Sequence, residues 1–222
     1  MTQKGGISRR RLVGQAGTAL AVAAGLPGCV SPLRREAPQL YTLTPKSTFD
    51  EGLPDVEWQL LVESPAAAAG LDSLRVALQS TPLKLDYFAN VAWTDRAPLM
   101  VQTLIVESFE NSGKIVSVGR ETIGLRANYV LKTELREFQA EYIDGGLNQP
   151  PKVNVRMNAK LVEIPRRAII AGDNFEAYTT SRSNNLDAIV EAFDETLGKV
   201  LRRLVEWTLV AGEEHWRERD IS

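Results

Sequence analysis

From Lys152 to Leu161 every second residue is apolar: Val153, Val155, Met157, Ala159 and Leu161 alternate with Lys152, Asn154, Arg156, Asn158 and Lys160. An unbroken period of two fits a strand with one face buried and the other wet, the pattern of an antiparallel sheet covered on one side. Two further strand-like runs bracket it, Tyr129–Phe138 before and Ile169–Thr179 after. Asp144-Gly145-Gly146 and Pro165-Arg166-Arg167 supply turn signals between the three, so a meander is the simplest reading. The polar face of the middle strand sets Lys152, Arg156 and Lys160 in a row with Asn154 and Asn158. That face reads either as solvated surface or as a partner-binding surface.

The other period, 3.6, appears after Asn185. Leu186, Ile189, Val190, Phe193, Leu197, Val200, Leu201, Leu204 and Val205 form one stripe, which predicts a helix over Asn185–Trp207 with Asn184 or Asn185 as its N-cap. Its acids (Asp187, Glu191, Asp194, Glu195) precede its bases (Lys199, Arg202, Arg203), as the helix dipole favours. A second helix is predicted over Asp95–Asn111, where Val101, Leu104, Ile105 and Phe109 share a face, Pro98 lies in the first turn and Gly113 supplies a stop. Short strands are expected at Leu40–Leu43, Trp58–Val62, Leu74–Leu78 and Leu83–Phe88, the last two as a hairpin about Ser80-Thr81-Pro82. Together these predict an α+β fold: a single domain whose mainly antiparallel sheet carries two main helices on one face. Trp207 is expected to pack under the sheet, whereas Trp93 fits either the core or an interface.

Ahead of this domain, Lys4, Arg9, Arg10 and Arg11 precede an apolar run from Leu12 to Leu26, which ends in Pro27-Gly28-Cys29. A basic cluster, an apolar run and small residues before a cysteine are the marks of a lipoprotein signal peptide, predicting cleavage before Cys29 and acylation there. The run is about fifteen residues, roughly 22 Å of helix, which is short of the ~30 Å hydrocarbon core. Ser8-Arg9-Arg10-Arg11-Leu12 also resembles a twin-arginine signal, so the export route stays open between that and general secretion. The expected organisation is signal peptide 1–28, lipidated tether 29–39, folded domain 40–209 and a charged tail 210–222 that frays. Val30, rather than an aspartate, after the acylated cysteine points to the periplasmic face of the outer membrane, with the acyl chains making the membrane contact.

Removing residues 1–28 takes away four positive charges and no acids, leaving 22 Lys and Arg against 28 Asp and Glu, a formal −6. A mildly acidic domain has no electrostatic reason to seek nucleic acid. With Cys29 as the sole cysteine, neither a disulfide framework nor a Cys-based metal site is available. No G-x-S-x-G, P-loop, G-x-G-x-x-G or H-E-x-x-H motif occurs. The single histidine, His215, falls in the charged tail and reads as solvent-exposed. Carboxylate pairs exist, Glu134 with Glu137 and Asp194 with Glu195, but the first is expected to point to opposite strand faces and the second to lie on a solvated helix face. The expectation is therefore a protein that is not an enzyme and needs no cofactor or metal.

Tyr41-Thr42-Leu43, Leu85 to Trp93 leading to Pro98-Leu99, Tyr129-Val130-Leu131 with Leu135 to Phe138, and Ala192-Phe193-Asp194 before Val205-Glu206-Trp207 form a series of blocks. In this order they resemble the ABC-type transport auxiliary lipoprotein family. The resemblance spans nearly all of residues 40–209 and carries no catalytic motif. It implies an accessory subunit that docks a periplasmic MCE-domain protein, itself associated with a permease and an ATPase, for phospholipid or other lipid transport between membranes. Some members form rings, so a homo-oligomer is also implied. Lys152, Arg156, Lys160 and Trp93 are the candidate partner-binding residues. Two alternatives stay open: a periplasmic lipid-carrying lipoprotein, which needs a deep apolar cavity, and a secreted hydrolase, which needs a cleft with perturbed carboxylates.

Overall fold

The computed structural model describes residues 37–120, 126–142, 146–164 and 166–220; the expected signal peptide, Cys29, residues 30–36 of the tether, Asp144-Gly145 and Pro165 lie outside them. The elements are β1 (Gln39–Tyr41), β2 (Val56–Val62), β3 (Ala66–Ala67), β4 (Arg75–Thr81), β5 (Lys84–Trp93), α1 (Ala97–Ser112), β6 (Ile115–Arg120), β7 (Tyr129–Glu141), β8 (Lys152–Glu163), β9 (Ala168–Thr180) and α2 (Leu186–Asp220). All nine strands belong to one sheet.

Strand β7 sets its plan. Its thirteen residues span about 43 Å at roughly 3.3 Å each, while seven-residue strands such as β2 and β4 span about 23 Å. One edge of β7 is matched along its length by β8, antiparallel, and β8 by β9. The other edge is shared in tandem by β2 at Tyr129–Leu131, β3 at Glu134–Leu135 and β4 at Gln139–Glu141, all parallel. From there β2 continues to β6, and β4 continues through the β4–β5 hairpin to β1. The sheet is thus mixed: its longest ladders are the antiparallel meander, and its shorter pairings on the far side of β7 are mostly parallel. Hydrophobic period reports which face a residue occupies, not which way the neighbouring strand runs, so this part was not legible.

Both helices lie on the buried face. Val153, Val155, Met157, Ala159 and Leu161 of β8 are fully buried, as are Trp58, Leu60 and Val62 of β2. Trp93, Phe138 and Phe193 bring β5, β7 and α2 to one point, with ring centroids 5.2 to 5.6 Å apart. Truncating such a buried aromatic costs about 3–5 kcal/mol, against about 0–1 kcal/mol for an exposed ion pair, so this cluster dominates the energetics. Trp93 is therefore a core residue, 1% exposed, and not part of an interface. Its position after an alternating strand and before a helix left both readings open; the helix turns the chain over it.

Helix α1 starts with Pro98 in its first turn and ends at Gly113, whose φ of 63° permits the left-handed cap. Gln102, buried, donates to the Val62 carbonyl at 2.9 Å and pins the helix to β2. Helix α2 is capped by Asn185, whose Oδ1 accepts the Ala188 amide at 2.8 Å. Asn184 instead accepts from the Tyr142 hydroxyl and donates to the Leu147 carbonyl, tying the β7–β8 connection to the helix start.

The charged segment after Leu209 does not fray. Helix α2 runs on to Asp220, with Gly212 against Trp58 and the Tyr129 hydroxyl 2.8 Å from His215 Nδ1. Arg219 pairs with buried Glu163 at 3.1 Å. Burial is the first cause pushing the Tyr129 hydroxyl up to about 12. His215 is thus half-buried on Tyr129 rather than solvent-exposed. The charges that made the segment look like a tail lie along a helix whose inner side continues the apolar stripe through Leu209, Gly212 and Trp216.

Two predictions follow from this packing. A Cβ at Gly212 would meet Trp58 Cζ2 at 2.5 Å, whereas one at Gly198 meets nothing within 4 Å. Glycine to alanine in a helix gains up to about 1 kcal/mol, and overpacking a rigid site costs about 1–3 kcal/mol. Chemical denaturation should therefore find Gly198→Ala stabilised and Gly212→Ala destabilised; the same sign for both would refute the close approach to Trp58. Deleting residues 210–222 should lower stability by about 1–3 kcal/mol, since it uncovers Trp58 and Tyr129 and leaves Glu163 without Arg219. An unchanged unfolding midpoint would mean that this stretch is a tail after all.

Candidate partner-binding face

The face of the sheet away from the helices is built by cross-strand rows over β7, β8 and β9. Register places Glu137, Arg156 and Glu176 in one row, Glu134, Asn158 and Asn174 in the next, and Lys132, Lys160 and Gly172 in the third. At the far end stand Glu141, Lys152 and Thr180, then Gln139, Asn154 and Tyr178. The alternation of β8 thus delivers Lys152, Arg156 and Lys160 to one surface, as the sequence implies.

Their surroundings differ. Arg156 pairs with Glu137 and lies 3.8 Å from Glu176, and the Glu137 hydrogen bond raises its guanidinium further above the ordinary value. Lys152 stands over the Tyr178 ring at 4.4 Å. The Tyr178 hydroxyl donates to Glu176 at 2.5 Å, which pushes it up to about 12. Gln139 and Asn154 extend the network, donating to Glu137 and Glu141 at 2.6 and 3.2 Å and to Glu141 at 2.9 Å respectively. Lys160 has no ionic or hydrogen-bonding partner among the described residues. Of the three cations, Lys160 alone has its charge uncommitted.

The carboxylates seen in the sequence are also engaged. A bulge between Leu135 and Glu137 puts Glu134 and Glu137 on the same face, not on opposite ones. Each has its own arginine, Arg136 at 2.8 Å for Glu134 and Arg156 for Glu137. Asp194 accepts the Thr44 amide at 2.6 Å, fastening the segment after β1 to α2, and Glu195 pairs with Lys199 at 2.7 Å. Among the described residues no three His, Cys, Asp or Glu side chains are grouped to hold a metal ion, and no helix is long and apolar enough to cross a membrane.

The open face also holds a feature not singled out in the sequence. Beyond the Lys132–Lys160 row, register aligns Leu61, Val130, Val162 and Ile169 across four strands. The signal was a break in alternation at one end of each strand: Leu60-Leu61, Tyr129-Val130-Leu131, Leu161-Val162 and Ile169-Ile170. Adjacent apolar residues in a strand point to opposite faces, so each doublet must put one of its pair on the wet side.

Comparison with known proteins supplies the family. Protein XCC0632 of Xanthomonas campestris, a crystal structure, is similar at 32% identity and a TM-score of 0.76, covering 81% of this chain and 99% of its own. A second solved structure, of an uncharacterized protein, shares the fold at a TM-score of 0.57 and 16% identity, over 84% of this chain and 100% of its own. The uncharacterized protein bll6063 of Bradyrhizobium diazoefficiens is 27% identical over 126 residues, which is 56% of this chain but only 32% of that relative's length. Residues 40–205 match a family described as the ABC-type transport auxiliary lipoprotein component, and the chain belongs to that family.

Proposed function

We propose that this chain is the acylated accessory subunit of an MCE-type ABC transport system, held at the periplasmic face of the outer membrane. There it docks the periplasmic MCE protein, whose permease and ATPase drive movement of phospholipid or other lipid between the membranes. Family membership over residues 40–205 is the observation that carries this reading. Cys29 is the proposed acylation site and the membrane attachment, with Val30 beside it as the sorting feature. The domain itself is proposed to be non-catalytic, and a ring of identical subunits is compatible with its role.

The packed interior supports docking over carrying. A carrier needs an apolar cavity between sheet and helices, and here that space is filled by Trp58, Trp93, Tyr129, Phe138 and Phe193, all fully buried. The wet sheet face, with its acids and bases interspersed, is the proposed contact surface, because a mixed-charge face sets register and partner choice.

The test uses the full-length lipoprotein in native membranes. Cys29→Ser should abolish labelling by a radioactive fatty acid, and undiminished labelling would refute the anchor. Affinity-tagged wild-type protein should capture the MCE protein, while joint charge reversal of Lys152, Arg156 and Lys160 should weaken capture roughly tenfold, about 1.4 kcal/mol. Undiminished capture by the charge-reversed variant would refute this surface as the contact. Failure of the wild type to capture any MCE protein would refute the docking role.

A further inference from the structure

We propose that the apolar end of the open sheet face binds an anionic phospholipid, with hydrocarbon on the sheet and the phosphate between Lys160 and Arg167. The inference stands on local geometry and does not depend on the docking role. The floor is the row Leu61, Val130, Val162 and Ile169, extended by Ile164, beneath an open concavity of about 560 Å³. That size falls within the roughly 300–1,000 Å³ range of small-molecule sites. Ile169, at the outer end of this row, is 60% exposed.

The rim carries the charge. Lys132 and Lys160 are direct cross-strand partners, and like charges so placed destabilise a sheet. Glu63 answers Lys132 with both carboxylate oxygens at 2.6 Å. Lys160 and Arg167, which line the same concavity, have no counter-ion among the described residues. An external anion would complete the set, and a phosphate offers Arg167 two oxygens at once.

Over most of this floor the backbone favours a lipid over a peptide. At this end β2 is paired on both sides by β6 and β7, β7 by β2 and β8, and β8 by β7 and β9. Their amides and carbonyls are committed, so over Leu61, Val130 and Val162 the floor offers no strand edge for a peptide to extend; only β9, paired by β8 alone, keeps an outer edge, beyond Ile169. What remains is hydrocarbon surface and two cationic side chains, which match an acyl chain with an anionic headgroup.

The experiment reconstitutes full-length lipoprotein into phosphatidylcholine vesicles that carry a trace of photoactivatable lipid, either phosphatidylglycerol or phosphatidylcholine with the same chains. After illumination, labelled residues are mapped by mass spectrometry. Phosphatidylglycerol is expected to label the β8–β9 hairpin around Val162 and Ile169, about tenfold above phosphatidylcholine. Lys160→Glu with Arg167→Glu should remove that excess while the thermal midpoint stays within the small range of surface substitutions. Lys160→Arg with Arg167→Lys should retain it. Equal labelling by the two lipids, label confined to other regions, no label, or undiminished label in the charge-reversed variant would each overturn the site.

Discussion

The pairing of both edges of β7 is the constraint on which the rest of the structure depends. A thirteen-residue strand flanked on one side by partners half its length must take them end to end, and β2, β3 and β4 do so. Of these, β2 and β4 each bring an outer strand, β6 beyond β2 and β5 beyond β4, so the sheet broadens into two arms from one spine. Helix α1 carries the chain from the end of β5 to β6, which is the crossover that a parallel β2–β6 pairing requires. Helix α2 returns over the meander and seals the buried face along its length.

That architecture separates two tasks by face. The helix side is packed with aromatic rings, Trp58, Trp93, Tyr129, Phe138 and Phe193 among them, so it contributes stability. The opposite side grades from an ion-paired centre around Arg156 to an apolar row ending at Ile169. Surface ion pairs of this kind contribute little to stability, commonly about 0–1 kcal/mol. Their arrangement therefore adds little to holding the fold and suits the proposed role of this face in partner choice.

Where the sequence spoke through periodicity, its message survived. The β8 alternation and the α2 stripe name the buried residues one by one, from Val153 to Leu161 and from Ile189 to Val205. Three features escaped for physical reasons. Strand direction leaves no trace in a period of two. A single-residue bulge at Arg136 inverted the expected relation of Glu134 and Glu137. Finally, the exposed charges Glu214, Arg217 and Arg219 masked a helix whose inward positions, Leu209, Gly212 and Trp216, keep the spacing of the stripe before them. The candidate site was legible to the same degree. Lys152, Arg156 and Lys160 do share a surface, but only three-dimensional neighbours separate the committed Arg156 from the uncommitted Lys160.

The central claim is that this domain meets its transport partner through the open sheet face. The direct measurement is photo-crosslinking in living cells from single positions, with a photoreactive amino acid at Asn158 on that face or at exposed Glu214 on α2. The account predicts a covalent adduct with the MCE protein from Asn158 and none from Glu214. Adducts from Glu214 alone, or from neither position, would contradict it.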